Sequence, residues 1–169
     1  MKKLYLIRHA KSSWDDPNLD DFLRPLNTRG EKDAPSMGKR LKEKHVTANL
    51  LISSPATRAI ETCKAIATVL NYPIEKIKIE KRLYHASAEQ ILQIVKELTD
   101  KPQDDDEIVF LFGHNPGITD FANELLNEHI NTIPTCGIVA SKIYIKNWKG
   151  ITFGCGKIEF FDFPKNKSS

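Results

Sequence analysis

Apolar residues run unbroken through Leu4-Tyr5-Leu6-Ile7, Leu50-Leu51-Ile52 and Ile108-Val109-Phe110-Leu111-Phe112, and each run is followed within a few residues by histidine or arginine. Short continuous runs, rather than strict alternation, are what a parallel strand covered on both faces requires. Between them the pattern changes to the helical period. Ala59, Cys63, Ile66, Ala67 and Leu70 fall on one face of a helix that Ser54-Pro55 is expected to open, with the hydroxyl as cap and proline in first position. Helices are also expected from about Asp33, with Pro35 in the first turn, to His45; from Ser87 to about Leu98, with Ser87 and Gln90 as a capping box; and from Ile118 to Leu126. A further strand is expected near 76–80, and two more, 137–146 and 151–161, flank Asn147-Trp148-Lys149-Gly150, which reads as a hairpin turn. Residues 8–27 carry no periodicity, and a long structureless loop inside a compact domain is usually functional. Pro102 to Glu107 reads as a solvated acidic loop.

Strand alternating with helix predicts an α/β fold, a three-layer α/β/α sandwich whose sheet is mainly parallel with an antiparallel edge hairpin. One domain over 1–163 is expected, followed by a flexible tail at 164–169. Composition then removes several function classes. Net charge is only +3 over 25 basic and 22 acidic residues, with no run of lysine and arginine interleaved with aromatics, so nucleic acid is not expected as a partner. Leu4 to Ile7 is too short for a signal-peptide core or a membrane span, and a cytoplasmic location is expected. Cys63, Cys136 and Cys155 are odd in number and lack metal-type spacing, which predicts reduced thiols and no zinc site.

Ligands of open α/β sheets collect at the carboxyl ends of the strands, where Arg8 and His9, Arg58, and His114 would meet. A phosphoryl group in transfer spreads negative charge over three oxygens, so a protein needs mainly to position it and to supply cations. Arginine forks are suited to that task. A neutral histidine can then attack phosphorus while another donates a hydrogen bond, and neighbouring arginines disfavour an added proton on the attacking ring. His9, beside Arg8, is the better nucleophile, which leaves His114 as donor. Other phosphatase signatures are missing: no cysteine has arginine six positions on, no glycine loop with lysine occurs, and no aspartate and histidine set suits two metals.

Ile7-Arg8-His9-Ala10-Lys11-Ser12, Ser53-Ser54-Pro55 with Arg58-Ala59, and Gly113-His114-Asn115-Pro116 resemble the histidine phosphatase superfamily, which includes phosphoglycerate mutases and acid phosphatases. The match spans nearly the whole chain. Arg24-Pro25-Leu26, Arg29-Gly30 and the Gly-His-Asn-Pro turn are most similar to the SixA branch of phosphohistidine phosphatases. The resemblance implies a phosphoglycerate mutase-like fold, attack by His9 to form a phosphohistidine intermediate, phosphoryl oxygens held by Arg8, Arg58 and His114, and release of phosphate by water. It implies neither metal nor cofactor.

The chain departs from the family pattern in two places, the first minor and the second bearing on substrate. Arg-His-Gly is Arg8-His9-Ala10 here, a change of one methyl. The usual proton donor is also missing, since Leu83-Tyr84-His85 stands where mutase-like relatives place glutamate, and Asn115 follows the second histidine where acid phosphatases have aspartate. A phosphohistidine leaving group needs such an acid least, which agrees with the SixA resemblance. Asp21 and His85 are left as candidates for a weaker acid or for orienting water. Lys11 and Ser12 are candidates for contact with phosphate or substrate. The expected partner is therefore a protein bearing phosphohistidine, with inorganic phosphate as product; a small phosphomonoester, or a non-catalytic phosphohistidine-binding role, are the alternatives.

Overall fold

The computed structural model describes residues 1–101 and 106–166. Six strands, β1 (Lys2–Arg8), β2 (Leu50–Ser53), β3 (Lys78–Ile79), β4 (Glu107–Gly113), β5 (Ile138–Ile143) and β6 (Gly156–Asp162), form one sheet in the order β3-β2-β4-β1-β5-β6. The first four pair in parallel, while β5 runs antiparallel to both β1 and β6. Alternate residues of β1 and β4 supply the two faces. Leu4, Leu6, Val109 and Leu111 pack against helices α3 (Ala88–Lys96) and α4 (Gly117–Leu126). Tyr5, Ile7, Phe110 and Phe112 pack against α1 (Thr28–Glu43) and α2 (Thr57–Val69). This is the expected three-layer α/β/α sandwich. None of the described helices is long and apolar enough to cross a membrane.

The Ser87–Gln90 capping box is present, and Cys63 and Cys136 are buried thiols while Cys155 is half-buried. Several local expectations are corrected. Helix α1 begins at Thr28, not Asp33, because Asn27 caps it by accepting from Gly30 N–H at 2.8 Å; Pro35 therefore lies inside the helix. Helix α2 begins at Thr57 with Ala56 as an uncapped N-terminus, so Ser54 does not cap it. Glu107 is not in a solvated loop. It opens β4 at 1 % exposure, accepting from Lys2 Nζ at 2.9 Å and Trp148 Nε1 at 3.0 Å. In place of the expected tight hairpin turn there is a longer connection, residues 144–155, containing a 3-10 turn at Trp148–Gly150 with Trp148 buried. The rest of the acidic loop, 102–105, and residues 167–169 of the expected tail lie outside the described residues.

Gly30 shows why the site loop needs a glycine on α1. A Cβ there would lie 2.2 Å from the Lys11 carbonyl oxygen, an oxygen that also accepts from Asn27 N–H at 2.9 Å. The backbone after β1 therefore rests directly on the start of α1. Gly30→Ala gains helix propensity of roughly 1 kcal/mol but forces two backbones apart, and overpacking costs about 1–3 kcal/mol or more. The expected net result is a destabilised protein, read as a lower urea midpoint with unchanged slope.

Candidate active site

The carboxyl ends of β1, β2 and β4 open into one cavity of about 450 Å³, lined among others by Arg8, His9, Lys11, Ser12, Asp21, Arg58, His85 and His114. All eight candidates read from the sequence face this one cavity. Arg24, Trp14, Asn115 and Thr135 complete its walls.

His9 follows directly on β1, and its ring has a defined tautomer. Nδ1 lies 2.7 Å from the Ala10 carbonyl, which can only accept, so Nδ1 carries the hydrogen. Nε2 is left with its lone pair and accepts from Arg58 Nε at 3.3 Å. Burial pushes the His9 pKa down to about 4, helped by Arg58, Arg8 and Arg24, against the opposing pull of the Ala10 carbonyl. At neutral pH the ring is therefore uncharged and held in place, with the lone pair that a nucleophile requires on Nε2. Ala10 is itself fixed by Thr62, whose hydroxyl accepts from Ala10 N–H at 2.9 Å and donates to Arg58 O at 2.8 Å. One helical turn of α2 thus locks the loop that carries His9 and the arginine beside it together.

Arg58 is held by the long loop as well. Its two terminal nitrogens donate to the Asp21 carbonyl oxygen at 2.8 Å and to Asp21 Oδ2 at 3.1 Å. The Asp21 carboxylate also accepts from Tyr84 OH at 2.7 Å and from Arg24 at 2.9 Å. These donors, Tyr84 foremost, hold Asp21 far below the usual carboxylate range. A carboxyl kept ionised by three donors orients its neighbours and is a poor proton donor. Asp21 is therefore better suited to orienting Arg58 than to acting as acid.

Arg24 was not singled out as a site residue from chemistry, yet it organises one wall. It is 7 % exposed, donates to Ser13 O and to the Ser12 hydroxyl, and places its guanidinium 3.3 Å from the centre of the Trp14 ring. Its only signal in the sequence was its place in the Arg24-Pro25-Leu26 stretch. Arg8 donates to Ile133 O at 3.0 Å, and its buried Nε has no protein partner. Asn115 is occupied structurally: its amide donates to Thr132 Oγ1 and Ile133 O, and its carbonyl accepts from Thr119 at 2.6 Å. His85 lies on the exposed side with φ of 61°, its ring 3.9 Å from that of Tyr84.

His114 follows β4, with its ring 5.2 Å from His9. Burial pushes its pKa down to about 3, with His9 and Arg58 adding to the shift. Nε2 is 2.7 Å from Ser54 Oγ, and that hydroxyl already accepts from Ala56 N–H at 3.2 Å. Nε2 is the one acceptor for the Ser54 proton among the described residues, so the hydroxyl donates to Nε2 and the ring hydrogen is assigned to Nδ1, which is buried without a protein partner. Ser54, expected as a helix cap, instead sets the His114 tautomer so that Nδ1–H is a donor. Ser54→Ala should leave a buried nitrogen unpaired, at a cost of about 1–3 kcal/mol, and slow turnover on the order of tenfold. The check is nitrogen NMR of the His114 ring together with kcat: Ser54→Thr should restore both, whereas an unchanged tautomer in the alanine variant would remove this role.

The family model of the histidine phosphatase superfamily (branch 1) matches residues 4–84, and an uncharacterized chloroplastic protein of Arabidopsis thaliana is 30 % identical over 152 residues, covering 88 % of this chain and 69 % of that one. The chain belongs to the histidine phosphatase superfamily. Its fold is similar to the protein histidine phosphatase SixA complexed with tungstate, with TM-score 0.78 at 20 % identity over 96 % of this chain and 97 % of that chain. It is also similar to the putative phosphohistidine phosphatase SixA from Agrobacterium tumefaciens, with TM-score 0.77, 25 % identity and the same coverage.

Proposed function

We propose that this histidine phosphatase superfamily member removes the phosphoryl group from phosphohistidine on a protein, without a metal, through a phosphorylated His9. The SixA folds and the family support phosphatase chemistry; the observation that carries the finer reading is the acid content of the cavity. Asp21 is the one carboxylate lining it among the described residues, and three donors hold it ionised. An alkoxide leaving group depends on a proton donor worth ~10²- to 10⁴-fold. A phosphohistidine ring departs as a nitrogen base that takes its proton from solvent.

In the first step the His9 Nε2 lone pair bonds to phosphorus as the bond to the substrate imidazole breaks, and that electron pair stays on the departing nitrogen. Water then attacks phosphorus, the bond to His9 breaks, and inorganic phosphate leaves. Arg8, Arg58 and His114 Nδ1–H hold the phosphoryl oxygens throughout, and splitting one displacement into two is the gain of the covalent route. Lys11 and Ser12 line the same cavity, Ser12 with its hydroxyl held by Arg24.

The test is phosphate release from a phosphohistidine-bearing protein and from a panel of phosphomonoesters, each with and without chelator. Release confined to phosphohistidine and indifferent to chelator supports the proposal. Release from a small phosphomonoester alone would replace it with a metabolite phosphatase, and binding without release would mean a phosphohistidine-binding regulator.

A further inference from the structure

Beside the phosphoryl cavity, and sharing Lys11 and Thr135 with it, lies a second cavity of about 220 Å³. Its remaining walls come from Pro134, from the start of α1, with Arg29 and Asp33, and from the segment after β6, with Phe163, Pro164 and Lys165. Three cations thus surround a partly apolar recess. The one carboxylate among its lining residues, Asp33, sits 3.5 Å from Arg29 Nε and offsets one of the three.

The segment that supplies Lys165 is fixed by design of the neighbouring helix. Chain ends fray unless tied down. Here Arg40 of α1 donates to Asp162 Oδ1 at 3.1 Å and to the carbonyls of Phe163, Asn166 and Pro164 at 3.0, 3.0 and 2.8 Å. A single guanidinium therefore holds four acceptors between residues 162 and 166 and keeps Lys165 beside the cavity. Nothing in the chemistry derived for His9 uses Arg29, Arg40 or Lys165.

We propose that this cavity is a second anionic subsite, which takes the carboxylate side chain of an acidic residue close to the phosphorylated residue of a substrate protein. The proposal rests on the phosphohistidine reading. The shared wall at Lys11 puts the second anion next to the first. Phe163 offers the apolar contact that the methylenes of a glutamate side chain can cover, while the cations at the rim meet its carboxylate. The volume suits one side chain rather than a second domain.

The experiment uses His9→Ala protein, which binds without consuming substrate, and two phosphohistidine peptides that differ only in glutamate or glutamine at the flanking positions. Titration calorimetry at low salt should give about fivefold tighter binding of the glutamate peptide, the upper range for a partly exposed ion pair, and the preference should shrink as salt is raised. Added to that background, Lys165→Gln should bring the ratio toward one. Arg40→Ala should do the same from outside the cavity by releasing the segment. Equal binding of the two peptides by the His9→Ala protein, or a ratio unchanged by Lys165→Gln, would overturn the subsite while leaving the phosphohistidine reading intact. If neither peptide binds, that reading falls and takes the subsite with it.

Discussion

Replacing His9 by alanine is expected to lower phosphate release by at least ~10⁴-fold, the range that loss of a nucleophile produces in enzymes with a covalent intermediate. The expectation follows from the ring's hydrogen bonds: Nδ1 carries the hydrogen given to the Ala10 carbonyl, so the ring's in-plane lone pair is on Nε2, where it accepts from Arg58 Nε at 3.3 Å. His114, whose ring lies 5.2 Å from that of His9, has its Nε2 occupied by Ser54 and does not offer the same lone pair. Trapping with labelled substrate should show acid-labile, base-stable phosphate on the parent protein and none on the variant. The pH dependence has a definite sign. The attacking form is neutral, and with the pKa of His9 lowered to about 4, activity should persist well below 6.5 and be lost only as pH falls through about 4. With the substrate's own acid breakdown subtracted, loss of activity centred near 6.5 would show that burial and the arginines do not hold the ring neutral. Equal activity in His9→Ala would sink the mechanism.

Much of this site was legible because its chemistry is attached to strand ends. Arg8, His9 and His114 directly follow continuous apolar runs, and such runs fix both the strand and the end at which it opens. Arg58 was legible by a weaker route, as a residue off the apolar stripe of its helix. What could not be read were roles set by contact across the fold. Ser54 has the sequence of a helix cap, and only the approach of His114 from the neighbouring strand decides that its hydroxyl serves the ring. Asp21 looked like a spare acid in a loop; the three donors that keep it ionised come from positions 24, 58 and 84. The misplaced start of α1 has a local cause. Asp33 and Pro35 carry start signals, but Asn27 with Gly30 supplies a cap two turns earlier, and the helix tolerates the proline inside it. Glu107 was misread for a tertiary reason, since Lys2 and the Trp148 indole meet it only in the folded sheet.

Arg58→Ala is expected to cost about 10²- to 10³-fold in kcat, as removal of a preorganised donor at a developing charge does elsewhere. Two effects would contribute, and they separate by pH. The guanidinium donates to His9 Nε2 and is among the charges that lower the His9 pKa, so its removal should move the acid limb of the rate profile upward. Asp21→Asn tests the other effect. It leaves the arginine's charge in place but replaces the carboxylate that accepts from Arg58, Arg24 and Tyr84 together, so the rate should fall on the order of tenfold, as for loss of a charge-assisted bond, with the acid limb nearly unmoved. Arg58→Lys should recover little, because one ammonium cannot at once reach Nε2, the Asp21 carbonyl and the Asp21 carboxylate as the planar fork does. Should Asp21→Asn shift the profile as far as Arg58→Ala does, the loop aspartate would be acting on the proton affinity of His9 itself, and the division between a charge that tunes the nucleophile and a carboxylate that aims that charge would have to be abandoned.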